Sequence, residues 1–295
     1  VFFVLIFPLG DLTDLLSRQI THQTGGAVQI NIEDMRLGLF PAPAIVLSES
    51  SIDIVGMSPL KVKELSLSPS IRSLFSLKPS GSLRARGLWG GEISASFLPG
   101  KKSESGTPRN RITLKGDQLK VEDVVSLASL PLPLQGLLNV HFDSLADLSW
   151  AEQPEGEIQI DVQNFNLPPA SVSTPLGPIT LPELRLKGLS LKGRLNGGTL
   201  QVDEGRIGAP GDEVVGSLKG TLGLRLQPGR GGPKPQLGSY SFDVDLKIQK
   251  GFQSRASFLL ALLDPHKKDT PDGAQYRVRI SASALGLPPN ISTLR

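Results

Sequence analysis

The stretch LRLKGLSLKGRLNGGTLQVDEGRI, residues 184–207, decides the fold. Leu184 and Leu186 alternate with Arg185 and Lys187, the period of two that a half-buried strand requires. At Gly188 the alternation slips by one residue, and Leu189 and Leu191 then alternate with Ser190 and Lys192. A glycine at a phase slip predicts a β-bulge. Asn196, Gly197 and Gly198 supply a turn from residues that tolerate positive φ. The chain then runs back over Thr199–Asp203 with Leu200 and Val202 on one face. The stretch therefore predicts a β-hairpin. Its apolar face, Leu184, Leu186, Leu189, Leu191, Leu195, Leu200 and Val202, belongs either to a closed core or to an open groove.

Leucine alternation broken by glycine recurs along most of the chain. Val28, Ile30 and Ile32 alternate with polar residues, and Leu60–Leu67 reads as another strand. Gly81–Phe97 predicts a hairpin bending between Gly87 and Gly91, with Trp89 as a packing residue. Further strands are expected at 111–114, 136–148, 155–167, 214–226 and 276–282. Tyr240–Ile248 is the cleanest, with Phe242, Val244, Leu246 and Ile248 on the same candidate core or groove face. Asp243 and Asp245 share its other face and read as solvated charges. The proline-rich 167–182 predicts a meandering connection, and the polar stretches 99–110 and 227–238 predict flexible loops. Helical spacing of Leu12, Leu15, Leu16 and Ile20 predicts an amphipathic helix over Asp11–Thr24, ended by Gly25-Gly26. Shorter helices are expected at 70–76, 121–130 and 252–263.

Composition removes several function classes. Basic residues are spread through the strands, without the concentrated Lys/Arg and stacking aromatics that a nucleic-acid surface needs, so no nucleic-acid partner is expected. The absence of cysteine excludes disulfide scaffolds, thiol catalysis and cysteine zinc sites. His22, His141 and His266 have no acidic neighbours at metal-ligand spacing. There is no phosphate loop, dinucleotide fingerprint, nucleophile elbow or HExxH motif. The expectation is a non-enzymatic protein with no cofactor, metal or catalytic residue. Asn290-Ile291-Ser292 matches a glycosylation sequon at the frequency chance provides.

The opening residues carry a further signal. Val1, Phe2, Phe3, Val4, Leu5, Ile6 and Phe7 begin an unbroken apolar run that ends at Leu9. Nine such residues are too few to span a bilayer, which takes about 20. The run reads as the trailing end of a transmembrane anchor, or else as a short buried strand or helix. Next come the amphipathic helix, placed over 10–26 beside the membrane, and Thr24-Gly25-Gly26-Ala27-Val28-Gln29-Ile30. Alternating strands and Phe40-Pro41-Ala42-Pro43-Ala44-Ile45-Val46-Leu47 follow. This series resembles the opening of AsmA-like proteins, in particular the type II secretion system protein N (GspN) family. The resemblance covers the first 55 residues best. It implies a single-pass protein of the bacterial inner membrane with its main domain in the periplasm, in an accessory or assembly role in type II secretion. Its partners would be the membrane and secretion-system proteins. AsmA-like relatives imply an alternative, a groove that binds or transfers phospholipid acyl chains.

The combined expectation is a mainly β protein. Residues 27–295 form one elongated domain, a meandering antiparallel sheet that is strongly twisted and curled into a gutter or open groove. An N-terminal helix and one or two short helices accompany it.

Overall fold

The computed structural model describes residues 17–18, 21–22, 26, 28–38, 44–54, 59–70, 80–103, 106–127, 132–147, 152–174, 177–227, 234–284 and 287–294. The chain forms β1 (Val28–Asn31), β2 (Asp34–Gly38), β3 (Ala44–Ile54), β4 (Leu60–Pro69), β5 (Gly81–Leu88), β6 (Gly91–Lys102), β7 (Pro108–Lys120) and a short helix α1 (Val121–Leu127). Then come β8 (Gln135–Ala146), β9 (Glu155–Leu167), the small pair β10 (Ala170–Thr174) and β11 (Gly177–Leu181), β12 (Leu184–Asn196), β13 (Thr199–Ile207), β14 (Val214–Gln227) and β15 (Lys234–Gln249). Helices α2 (Lys250–Arg255) and α3 (Ser257–Leu260) and a 3-10 turn (Ala261–His266) lead to β16 (Lys267–Thr270), β17 (Gly273–Ala282) and β18 (Asn290–Thr293).

All strands but β10 and β11 belong to one 16-stranded antiparallel sheet, in which β3 to β9 and then β12 to β15 lie side by side in chain order. Short turns such as Trp89-Gly90 and Gly197-Gly198 can join only antiparallel neighbours, so the meander follows from the turn chemistry. Both edges are blunted. β1 and β2 share the outer side of β3, and β16 and β18 share the outer side of β17, each with only four or five residues. Short edge strands of this kind discourage pairing with further chains.

The hairpin at 184–207 forms as its sequence predicts. Asn196 pairs with Thr199 around Gly197 and Gly198, whose φ values of 56° and 78° suit a type I′ turn. The expected bulge at Gly188 is corrected. Pairing of β12 with β9 passes through Gly188 without a shift, because β9 slips its own phase at the same level, where Asn164 takes φ 51°. Leu186 and Leu189 consequently stay on one side of the sheet and join one cluster with Phe165. The register shift lies instead between Lys192 and Gly193, opposite the unpaired Asp203 of β13.

Other expectations need correction too. The stretch 170–181 is a hairpin of its own, and strand structure invades both expected loops, since β6 ends at Lys102, β7 starts at Pro108 and β15 starts at Lys234. Polar composition there marks strand ends exposed to water, not absence of pairing. The helix expected over 252–263 is broken into α2, α3 and the 3-10 turn, with Ala256 at φ −104°, ψ 14° between the first two. Of the helix expected over Asp11–Thr24, the described residues Ser17, Arg18, Thr21 and His22 are helical. No strong curl of the sheet is evident among the described residues. Most of 11–24, all of 1–9 and the helical turn expected at 71–76 lie outside them. Among the described residues no helix is long and apolar enough to cross a membrane, which corrects the expectation of a transmembrane helix there; the anchor expected at 1–9 lies outside them.

A single sheet has one apolar face to cover, and three devices cover parts of it. At the C-terminal end, Phe252 and Ala256 pack over Leu186, Val214, Ile248, Ala274 and Tyr276. Burial pushes the Tyr276 hydroxyl above its ordinary pKa, so the ring stays neutral in this core. At the N-terminal end, Met35, Leu47, Val62, Leu65, Ala85 and Leu88 form a second cluster, with Trp89 packed against it. Between them, glycines make room for neighbouring side chains to lie down on the sheet. A Cβ at Gly216 would sit 2.6 Å from Leu246 Cδ2, one at Gly220 2.7 Å from Phe242 Cδ1, and one at Gly116 2.7 Å from Leu119 Cδ1.

The opposite face is a lattice of cross-strand ion pairs. Arg111 Nε donates to Asp143 Oδ1 at 2.9 Å, Arg194 grips Asp203 through two bonds of 2.8 Å, and Arg279 grips Asp243 at 2.6 and 2.9 Å. Arg255 of α2 holds Glu213 at 2.6 and 3.0 Å. Exposed pairs stabilise little individually, but hydrogen bonding to arginine holds Asp143, Asp203, Asp243 and Glu213 below the usual carboxylate range. A separate strap crosses the strand ends. Glu152 takes bonds from Ser103 and Arg109, while Gln153 exchanges two bonds with the backbone of Leu226, beyond the point where β13 pairs with β14.

Two outcomes follow from this packing. Gly216→Ala is expected to destabilise by about 1–3 kcal/mol, because its Cβ would also lie 2.4 Å from the Asp245 carbonyl, whereas Gly197→Asn costs little at an open position that asparagine tolerates; urea denaturation compares them. The depressed carboxylates contribute stability that is present above their unfolded pKa and lost as pH falls through the folded one. The urea midpoint should therefore hold near neutrality and fall below about pH 4. Arg111→Gln should reduce the share of that fall contributed by Asp143.

Candidate functional site

The apolar face predicted from 184–207 and 240–248 is mostly core. Leu186, Leu195, Val202, Val244 and Ile248 are buried, and Leu184, Leu189, Leu191, Leu200, Phe242 and Leu246 are half-buried. Leu184, Leu186, Leu189, Leu246 and Ile248 meet the residues under α2, which closes this end. These five residues belong to the core under α2, while Leu191, Leu200 and Phe242 stay half-buried outside it.

The part of the same face that no described residue covers lies over β3–β7. Cross-strand register aligns Ile45, Leu67, Leu83, Ala95 and Leu114 in one row across five strands. A second row, Pro69, Gly81, Phe97 and Ile112, runs beside it over β4–β7. Between these rows is a trough of about 470 Å³, with Gly81 and Ala95 as its floor and Ile45, Leu67, Leu83, Phe97 and Ile112 as its walls. No ionisable side chain lines it. Leu114, at 36% exposure, opens the row toward β8.

The apolar surface continues past the trough. Phe142 and Ile158 stand beside Leu114, Val140 beside Ile160, and Leu138 beside Val162. All of these except the exposed Leu114 are half-buried, and Leu191 and Leu189 carry the strip on to the capped end. The sequence showed the alternation in each of these strands separately. It held no local sign of which strands would lack a cover.

A concavity of about 720 Å³ lies on the charged face of β7–β14. Its charged groups are largely committed to one another: Arg111 to Asp143, Arg194 to Asp203, and Glu155 to Arg109. Size alone therefore does not mark it as the site. His141 stands on that face beside Lys115 and Gln159, and His266 meets Thr293. Among the described residues no group of three His, Asp or Glu side chains is placed to hold a metal ion. What the trough offers chemically is dispersion contact and exclusion of water, suited to a chain of methylenes or to apolar side chains.

Comparison with known proteins finds no matching family model, no matching curated protein and no matching solved structure, so the likeness to GspN and AsmA-like proteins stands on the opening residues alone.

Proposed function

We propose that this protein binds acyl chains and acts as a lipid-holding or lipid-passing sheet of the bacterial cell envelope. The observation that carries the reading is the trough over β3–β7, walled by carbon, floored by Gly81 and Ala95 and continuous with a half-buried apolar strip over β7–β9. A protein of this length has enough leucine and valine to bury such a face, and at both ends of the sheet it does so. Leaving the middle open keeps apolar area in contact with water at about 25 cal/mol per Å². A ligand that removes this area from water recovers that free energy. The open trough would take a chain from the side along its length, without a lid. The charged lattice on the other face keeps the sheet soluble and gives an apolar ligand no competing surface. A part in type II secretion is not included in the proposal, because only the opening residues speak for it.

Native mass spectrometry of the purified full chain should find co-purified lipid, and a fluorescent fatty acid should bind and be displaced by phospholipid. Ala95→Trp fills the trough floor from a half-buried position and should weaken fatty-acid binding about tenfold while leaving the circular dichroism spectrum unchanged. Absence of lipid together with no displaceable binding, or equal binding by the filled variant, would overturn the reading.

A further inference from the structure

Directly behind the trough, on the polar face of β4–β7, the ion-pair lattice gives way to hydroxyls. Register places Ser66, Arg84, Ser94 and Lys115 in one row across four strands. Ser82 and Ser96 stand side by side in the next row. These six residues border a concavity of about 460 Å³ whose lining includes two cations and no carboxylate. Among the described residues, no side chain of the protein makes a hydrogen bond or ion pair with Ser66, Ser82, Ser94, Ser96 or Lys115. The acids nearest in register are Glu64, Glu92 and Asp117, one row further along the strands, and Asp143, which stands opposite Thr113 in the row of Ser82 and Ser96 and is held by Arg111.

The two cations are differently prepared. Glu92 holds Arg84 by its Nε at 3.1 Å and shares its carboxylate with Arg86, which also pairs with Glu64. That contact takes one edge of the guanidinium and leaves its terminal nitrogens to supply the fork that matches a planar pair of oxyanion oxygens. Lys115 stands two strands away with Ser94 between them. Strands about 4.8 Å apart put the two Cα atoms about 10 Å apart, so both long side chains reach an anion seated over the Ser94 hydroxyl. The arrangement supplies a bidentate donor, a point charge and a neutral donor to one tetrahedral anion. Ser82 and Ser96, each donor and acceptor, lie where the remainder of the ligand would rest, and hydroxyls are their natural partners.

We propose that this concavity binds a phosphate monoester carried on a small hydroxylated molecule, with the phosphate over Ser94 between Arg84 and Lys115 and the carrier's hydroxyls over Ser82 and Ser96. The site is on the opposite face of the sheet from the acyl trough and does not depend on the lipid reading.

Titration calorimetry of the full chain at physiological salt tests it, with glycerol 3-phosphate, inorganic phosphate and glycerol as probes. Glycerol 3-phosphate should bind saturably and more tightly than inorganic phosphate, and glycerol alone should give no heat. The double substitution Arg84→Gln with Lys115→Gln should weaken binding about tenfold or more, and Ser94→Ala about threefold. Ser94→Ala removes one solvent-side hydroxyl and keeps the test valid where the double variant alters the fold. Fatty-acid binding should be unchanged in both. No saturable heat, binding undiminished in the two variants, or inorganic phosphate binding as tightly as glycerol 3-phosphate would overturn the proposal.

Discussion

The structure depends on how one apolar face of a single-layer sheet is kept from water. A strand with period-two alternation always presents such a face, and two packed layers are the usual solution. Here the long strands follow one another in a meander, and the only other sheet among the described residues is the two-stranded β10–β11. Cover has to come from short local pieces, and it is unevenly distributed. The helices after β15 cover one end, and the cluster around Met35, Leu47 and Val62 forms the other. The middle is left with whatever its own side chains can reach.

Glycine is the means by which they reach. On a β face a missing Cβ is a hollow, and a neighbouring large side chain can fill it. Leu246 fills the hollow at Gly216 and Phe242 the one at Gly220. This self-covering explains why the expected strong curl is not evident: the face can lower its exposed area without bending the whole sheet upon itself. It also fits the burial of Val202, which stands opposite Gly220, and of Val244, which lies between Phe242 and Leu246 on one strand face.

Much of this was legible in the sequence because strand alternation and turn chemistry are local. The hairpin at 184–207 needs only its leucine period and Gly197-Gly198, and α1 needs only its apolar spacing and the acids of its first turn. What was not legible depends on partners. The slip at Gly188 looked like a bulge because Asn164, its counterpart 24 residues earlier in chain order, could not be paired with it in advance. The prolines of 167–182 masked a hairpin, since Pro178 stands opposite Ser173 without ending the ladder. Cover is the least local property of all. Leu186 and Leu83 carry the same alternation, yet Leu186 lies beneath Phe252 and Leu83 faces the trough.

The contrast between two glycines locates the trough physically. Gly216 and Gly81 both stand on the apolar face, each opposite a large residue, Leu246 and Phe97 respectively. A Cβ at Gly216 would lie 2.6 Å from the side chain of Leu246, whereas the nearest atoms to one at Gly81 are backbone, the Ser68 carbonyl at 2.9 Å and Pro69 Cα at 3.4 Å. Phe97 therefore stands as a wall where Leu246 lies as a lid. With Ala95 as the other small residue on the floor, no side chain among the described residues fills the space. The same device that closes the sheet in its C-terminal half thus leaves it open in its N-terminal half. The difference is one of side-chain direction and not of composition, and for that reason a count of leucines and glycines along the chain could not have placed the opening.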